Sequence, residues 1–350
     1  MHIIYLFRPK NPRVHHCSES FYKAMTLNNG SDITSYSVKY LYSVTLRESW
    51  LLIKHLVSLN KQEEISVFFF LIQLDYLVLA LILKTISKLL NKNLEISYLM
   101  HEPKFEKGRI NPLKAYIVFL YHFVFGYIGD KILLPSNEAF LKAQDFVNND
   151  KLYKLNLSFL SLPKDILQNN LAQLKFSWDN EKSFLLLGRA DRDKNPQGFL
   201  SLANIINKDY PKQARFIRGG SERNIQVNYD DKLIIRFPGF ISNSAKSFLL
   251  GLSHFVVIPY SFSTQSGVVT EALSYGKLLI INDIPTFSYL KGLSFVFFTD
   301  FNDESSMSKC IHDLFSMDIN DYEKRYWEAI RYFQENHSEA YLSKTLQEIL

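Results

Sequence analysis

The segment Thr264-Gln265-Ser266-Gly267-Val268 stands between an apolar run that ends at Pro259-Tyr260 and an amphipathic stretch whose one carboxylate is Glu271. The run HFVVIPY reads as a strand, and the spacing of Val268, Val269, Ala272 and Leu273 reads as a helix that begins near Gly267 and stops at Gly276. A helix starts with free backbone N–H groups and the positive end of its dipole, so residues 264–268 form a place for an anion, and glycine at 267 lets an oxygen-rich ligand come close to the backbone. Glu271 lies on the same face one turn further in, about 5.4 Å. Its two oxygens can accept two hydroxyls, as a ribose presents. A phosphate at the helix start with a ribose beside the first turn describes a nucleoside diphosphate bound along the helix end. The same spacing also fits an ordinary strand-to-helix turn with an exposed glutamate.

A second stretch, LLLGRADRDKNPQGF, places Gly188, Arg189 and Lys194 just past the end of an apolar strand and before a helix starting near Asn195 or Pro196. Two cations facing an anion held on a helix N-terminus can stabilise a departing diphosphate through charge-assisted hydrogen bonds in a preorganised field. A solvated basic loop is the alternative. The triplet Asp191-Arg192-Asp193 imitates a metal-binding pair of aspartates, but a metal there would sit between two cations, so no metal is expected.

These loops need a scaffold that ends strands side by side. Short apolar strands alternate with helical patterns along the chain: HIIYLF, VFFFLI, LEISYLM and KILLPS, then SFLLLG, ARFIRG, DKLIIRF, HFVVIPY, KLLIIND and SFVFFTD. That alternation implies parallel sheets covered on both faces, hence two doubly wound α/β domains, with the ligand at the carboxyl ends of the strands in a cleft. The pattern lapses over residues 161–182, which predicts domains over 1–165 and 180–350, the second closing with the helical stretch DYEKRYWEAIRYFQENHSEAYLSKTLQEIL. The run from Ile65 to Leu90 is near membrane-spanning length, but Gln73 and Asp75 interrupt it, and it reads as a buried strand over about 66–71 followed by a buried helix over about 75–90.

In order and approximate spacing, Gly188-Arg189 with Lys194, the FPGF of Phe237 to Phe240, the strand end Pro259-Tyr260, the TQSG of Thr264 to Gly267, and Glu271-Ala272-Leu273 with Gly276 resemble one family. It is that of the retaining, nucleotide-sugar-dependent glycosyltransferases with two Rossmann-like domains, the GT-B type, and in particular family 4. The resemblance covers the second half of the chain. It implies that Arg189 and Lys194 grip the donor diphosphate, that Glu271 is the second glutamate of the family's E-x7-E element and holds the ribose, and that Ile241, just after FPGF, offers a backbone contact to the base. The first glutamate of that element falls at Ser263, a departure that removes a carboxylate which in the family usually contacts the donor sugar. In the first half, His101 of HEP resembles a histidine that family members place near the transferred sugar or acceptor. The donor is a nucleotide diphosphate sugar, with no further cofactor implied, and the acceptor is a glycan or lipid-linked glycan of bacterial surface polysaccharide assembly.

The first loop, FRPKNPRVHHCSES, lacks the family's glycine-rich turn and instead offers Arg8, Lys10, Arg13 and His15. It suits an anionic acceptor such as a lipid-linked diphosphate, and equally a plain solvated loop. Residues 1–160 carry 19 lysines and arginines against 13 carboxylates, whereas residues 300–350 carry 5 against 11, so an anionic partner is expected on the first half. The cations are dispersed and no nucleic-acid-reading motif accompanies them, which excludes that class. The aromatic run of Pro112 to Asp130, preceded by Lys104, Lys107 and Arg109 and containing Lys114, fits either a core helix or a peripheral contact with an anionic leaflet. Two distant cysteines exclude a disulfide framework, and the short apolar N-terminal run is no signal peptide, so a cytoplasmic place at the inner face of the membrane is expected. Two rivals remain: a nucleotide-sugar epimerase of the same fold, which needs acid–base carboxylates that cannot be assigned here, and a catalytically silent binding partner.

Overall fold

The computed structural model describes residues 2–9, 15–26, 31–38, 46–58, 64–70, 74–100, 103, 111–222, 227–263 and 266–349. They divide into two compact units, Met1–Leu160 with Asn336–Leu350, and Ser161–Glu335.

The first unit runs β1 (His2–Pro9), α1 (His15–Thr26), β2 (Ser31–Val38), α2 (Leu46–Ser58), β3 (Glu64–Phe69), α3 (Leu74–Leu90), β4 (Asn93–Leu99), α4 (Pro112–Ile128), β5 (Lys131–Leu134), α5 (Asn137–Gln144) and β6 (Leu152–Lys154). Its described strands form one parallel sheet in the order β2-β1-β3-β4-β5-β6. Parallel strands need crossovers, and right-handed crossovers put α2, α3 and α4 on one face. One buried cluster accordingly joins Leu52, Leu56, Leu77, Leu83 and Phe125 to Val67, Ile96 and Ile132 of the sheet. Asn111 caps α4, accepting the Leu113 N–H at 2.9 Å, with Pro112 in the first turn. The Ile65–Leu90 run is strand β3 followed by helix α3, and among the described residues no helix is long and apolar enough to cross a membrane.

The second unit continues with α6 (Lys164–Ser177), β7 (Lys182–Leu187), α7 (Pro196–Asp209), β8 (Ala214–Gly220), β9 (Ile234–Pro238), α8 (Asn243–Leu252), β10 (Phe255–Ile258), α9 (Gly267–Ser274), β11 (Leu278–Asn282), β12 (Val296–Thr299), α10 (Glu304–Ser316) and α11 (Ile319–Asn336). Its sheet, also parallel, has the order β12-β11-β10-β7-β8-β9. Phe184 of β7 stacks between Phe216 of β8 and Phe255 of β10, with centroids 5.5 and 5.0 Å away, and so knits the three central strands.

The last helix, α12 (Glu339–Ile349), corrects the sequence reading, which gave the C-terminal helices to the second domain. Its Leu342 and Leu346 are buried with Phe21, Ala24 and Met25 of α1, so it completes the far face of the first sheet. Strands β2 and β6 were not anticipated either. Both are sheet edges, where one side needs no apolar partner, and SDITSYSV is correspondingly polar while LYK is only three residues long.

Candidate active site

The second sheet reverses its strand order between β7 and β10, which are hydrogen-bonded neighbours although two strands of the chain lie between them. A reversal of this kind opens a crevice at the carboxyl ends of the strands, because the loops leaving the two strands turn to opposite faces. The two loops that leave β7 and β10 are those that carry Arg189 with Lys194 and residues 264–267.

The β7–α7 loop is tied to both neighbours. On one side the Gly188 N–H donates to Gly219 O at 2.9 Å and the Ala190 N–H to Ser221 O at 2.8 Å. Gly220 has φ +138°, and a Cβ there would lie 1.8 Å from the Gly188 carbonyl oxygen, so only glycine permits the approach. Gly188 itself has φ +112° and nothing within 4 Å of where a Cβ would be, which leaves its outer side open to a ligand. On the other side the Ser261 N–H donates to Asp193 O at 3.0 Å. The loop ends at Asn195, whose side chain accepts the Gly198 N–H at 3.1 Å and starts α7 with Pro196 in its first turn.

This stapling brings Lys194 to the end of β10. Its ammonium lies 3.7 Å from the ring centroid of Tyr260 and 3.7 Å from the Asp193 carboxylate, with 21% of the side chain exposed. The ring's negative face favours the cation. Arg189 is 52% exposed and pairs with Asp191 at 3.0 Å. Each aspartate of the Asp191-Arg192-Asp193 triplet is thus engaged by a cation.

Past Tyr260 the chain enters α9. Ser266 is its N-cap and accepts the Val269 N–H at 3.4 Å, so the N–H groups of Gly267 and Val268 belong to a first turn that has no acceptors of its own. Glu271 is one turn deeper, its side chain 11% exposed, and both its oxygens accept hydrogen bonds from Lys246 of α8, at 2.7 and 3.0 Å. A carboxylate has about four acceptor positions, so this pairing does not exhaust its capacity to accept hydroxyls. Ile241 lies in the link between β9 and α8. Ser263, where the resemblance would put a glutamate, is buried, and its carbonyl accepts from Thr286 Oγ1.

The structure therefore places Gly188, Arg189 and Lys194 in the loop after β7 and Ser266, Gly267 and Val268 after β10, at the ends of two hydrogen-bonded strands, with Glu271 one turn into α9. Thr264, Gln265, Lys10, Arg13 and His101 lie outside the described residues. Arg8 is near the end of β1 and His15 opens α1, at the strand-order reversal of the first sheet. Sequence reasoning missed Lys246, which as a lone lysine on an amphipathic helix gave no signal. It also missed Arg218, buried in β8 and donating to Gly219 O, although a charge inside the strand ARFIRGG was a legible oddity.

Solved structures share this architecture. A trehalose-6-phosphate protein from E. coli bound with UDP-2-fluoro glucose superposes with a TM-score of 0.65 at 11% identity, covering 100% of this chain and 98% of that one. Anabaena Alr3699/HepE in complex with UDP gives 0.64 at 10% identity, over 100% and 99% of the two chains. The trehalose 6-phosphate synthase from Burkholderia multivorans gives 0.63 at 10% identity, over 99% and 97%. The chain has the GT-B fold. Both chains of each GT-B pair are covered almost completely, so the likeness extends to both units, and at these identities it is one of fold. No family model matches the sequence, and no curated protein matches it.

Proposed function

We propose that this chain is a glycosyltransferase of the retaining, family 4 kind, which moves a sugar from a nucleoside diphosphate sugar to an acceptor hydroxyl. The observation that carries the reading is the pair of loops at the reversal between β7 and β10: Lys194 fixed over Tyr260 at the end of β10, Arg189 in the same loop after β7, and the first turn of α9 following β10. The second unit binds the donor. The backbone of residues 264–268 and the two cations take the diphosphate, Glu271 takes the ribose hydroxyls, and Ile241 meets the base.

In the reaction the bond between the sugar's anomeric carbon and the diphosphate oxygen breaks, and a bond to the acceptor oxygen forms on the same face. The acceptor proton passes to the leaving diphosphate oxygen. Negative charge grows on the diphosphate as the bond lengthens, and groups already aimed at it stabilise the transition state more than the bound donor. Arg189 and Lys194 supply that stabilisation without a metal ion. The first unit serves the acceptor, a lipid-linked or polysaccharide glycan of bacterial surface assembly, with Arg8, Lys10, Arg13 and His15 facing its anionic part and His101 near the transferred sugar.

A thermal-shift screen of nucleoside diphosphates and their sugars tests the reading. A ligand at a hundred times its dissociation constant stabilises by about 2.7 kcal/mol. Stabilisation by one base's diphosphate and its sugar conjugate is the expected result. A chain that responds to none of them is not a donor-dependent transferase, and donor conversion to a second free nucleotide sugar without acceptor would make it an epimerase instead.

A further inference from the structure

Helix α4 carries apolar residues on the side it buries and on the side it does not. Leu113, Tyr116, Ile117, Leu120, Phe123 and Tyr127 recur at helical spacing, all exposed, with Leu113 at 68% and Tyr127 at 81%. A helix covering a sheet ordinarily turns a polar stripe outward. Helix α3 packs beside α4 and α2 beside α3, and both continue the pattern: Leu81 and Ile82 on α3, Trp50 and Leu51 on α2, are exposed as well. Among the described side chains, fourteen exposed large hydrophobic residues lie on these three helices. With helix axes about 8–10 Å apart and 17 residues at about 1.5 Å each in α3 and α4, the face is roughly 20 Å by 25 Å, the size of the largest apolar patch on a monomer, which is often a functional surface.

Its charge selects the partner. Lys54 and Lys88 are exposed on this face, and Lys92, just past α3, donates to Val57 O at 3.2 Å. Trp50, Tyr116 and Tyr127 have an apolar body and a polar tip, the chemistry enriched where hydrocarbon meets head groups. A broad apolar face that carries exposed lysines complements an anionic lipid leaflet. Helices of 17 residues that also cover a sheet lie on such a surface without crossing it.

We propose that the outer face of α2, α3 and α4 seats the protein on an anionic lipid surface. The seat is separate from the nucleotide crevice and does not rest on the transferase reading. Flotation with vesicles of phosphatidylcholine alone and of phosphatidylcholine with 30% phosphatidylglycerol, at low and high salt, tests it on the full chain. The wild type floats with the anionic vesicles, more weakly at high salt. The double variant Leu120→Glu, Phe123→Glu floats at least tenfold less, and Lys54→Glu, Lys88→Glu loses the preference for anionic lipid. All of these side chains are exposed, so circular dichroism and nucleotide stabilisation stay as in wild type. Unchanged flotation of the Leu120, Phe123 variant overturns the proposal. So does a wild type that floats with neither vesicle. A soluble dimer that falls apart in the same variant, seen by light scattering, overturns it in favour of a second copy on this face.

Discussion

Glu271 offers the most discriminating test, because the structure gives its carboxylate a partner other than ligand. Lys246 occupies one acceptor position on each oxygen, at 2.7 and 3.0 Å. If the remaining positions take the ribose hydroxyls, Glu271→Ala removes a charged acceptor from a largely buried place. A hydrogen bond to a charged group is worth about 1.5–3 kcal/mol, so affinity for a nucleoside diphosphate falls roughly 10–150-fold. Lost folding stability could imitate this, since Lys246 is then left half-buried and unpaired. The 2′-deoxy nucleotide separates the two. Wild type binds UDP, or whichever diphosphate binds in the screen, more tightly than its 2′-deoxy form, and Glu271→Ala binds both alike. Lys246→Met frees the carboxylate but leaves its oxygens, so it keeps the preference for the ribose form. Isothermal titration of three proteins with two ligands gives the whole comparison. Equal discrimination in wild type and Glu271→Ala would falsify the ribose assignment, and its loss in Lys246→Met would move the contact to the lysine.

Arg189→Ala and Lys194→Ala each lower turnover by roughly 10²–10³-fold, the range for losing one preorganised charge-stabilising donor, while donor affinity changes less. Near-normal turnover in both variants removes the proposed chemistry. Gly220→Ala forces a Cβ to 1.8 Å from the Gly188 carbonyl, so urea unfolding shows a loss of about 2 kcal/mol or more and the soluble fraction binds nucleotide weakly; a wild-type midpoint refutes the back-to-back glycine contact. His254 is held neutral in the core, Nδ1 facing the Ser183 N–H at 3.0 Å and hydroxyl at 2.7 Å, and Nε2 3.0 Å from Leu174 O, and burial lowers its pKa from 6.5 to about 3. Below about pH 6.5 the unfolded chain therefore takes up a proton that the folded chain refuses, and stability falls as pH drops from 6.5 towards 3. His254→Gln flattens that slope in urea titrations between pH 7 and pH 4, leaving the share of His337, whose burial lowers its pKa to about 4; an unchanged slope refutes the neutral-histidine account.

The sequence by itself determined the interior strands and the two loops. Residues 67–70, SFLLLG and HFVVIPY lie in the interior of their sheets, so each is a nearly unbroken apolar run, a signal written into consecutive residues. The start of α9 was equally legible, because a helix N-terminus with its cap and glycine is complete within a few residues. Edge strands β2 and β6 were not, since an edge buries too little to impose an apolar pattern. Only the tertiary structure decided that β7 and β10 are neighbours, that Lys194 lies over Tyr260, that Lys246 holds Glu271, and that α12 returns to α1. Periodicity records that a face is buried and never against what, because the apolar side of a helix fits either sheet almost equally well. For the same reason the sequence left the run of Pro112 to Asp130 open between a core helix and a contact with an anionic leaflet. An apolar face turned to solvent and one turned to a sheet have the same composition, and only the chain packed around them tells the two apart.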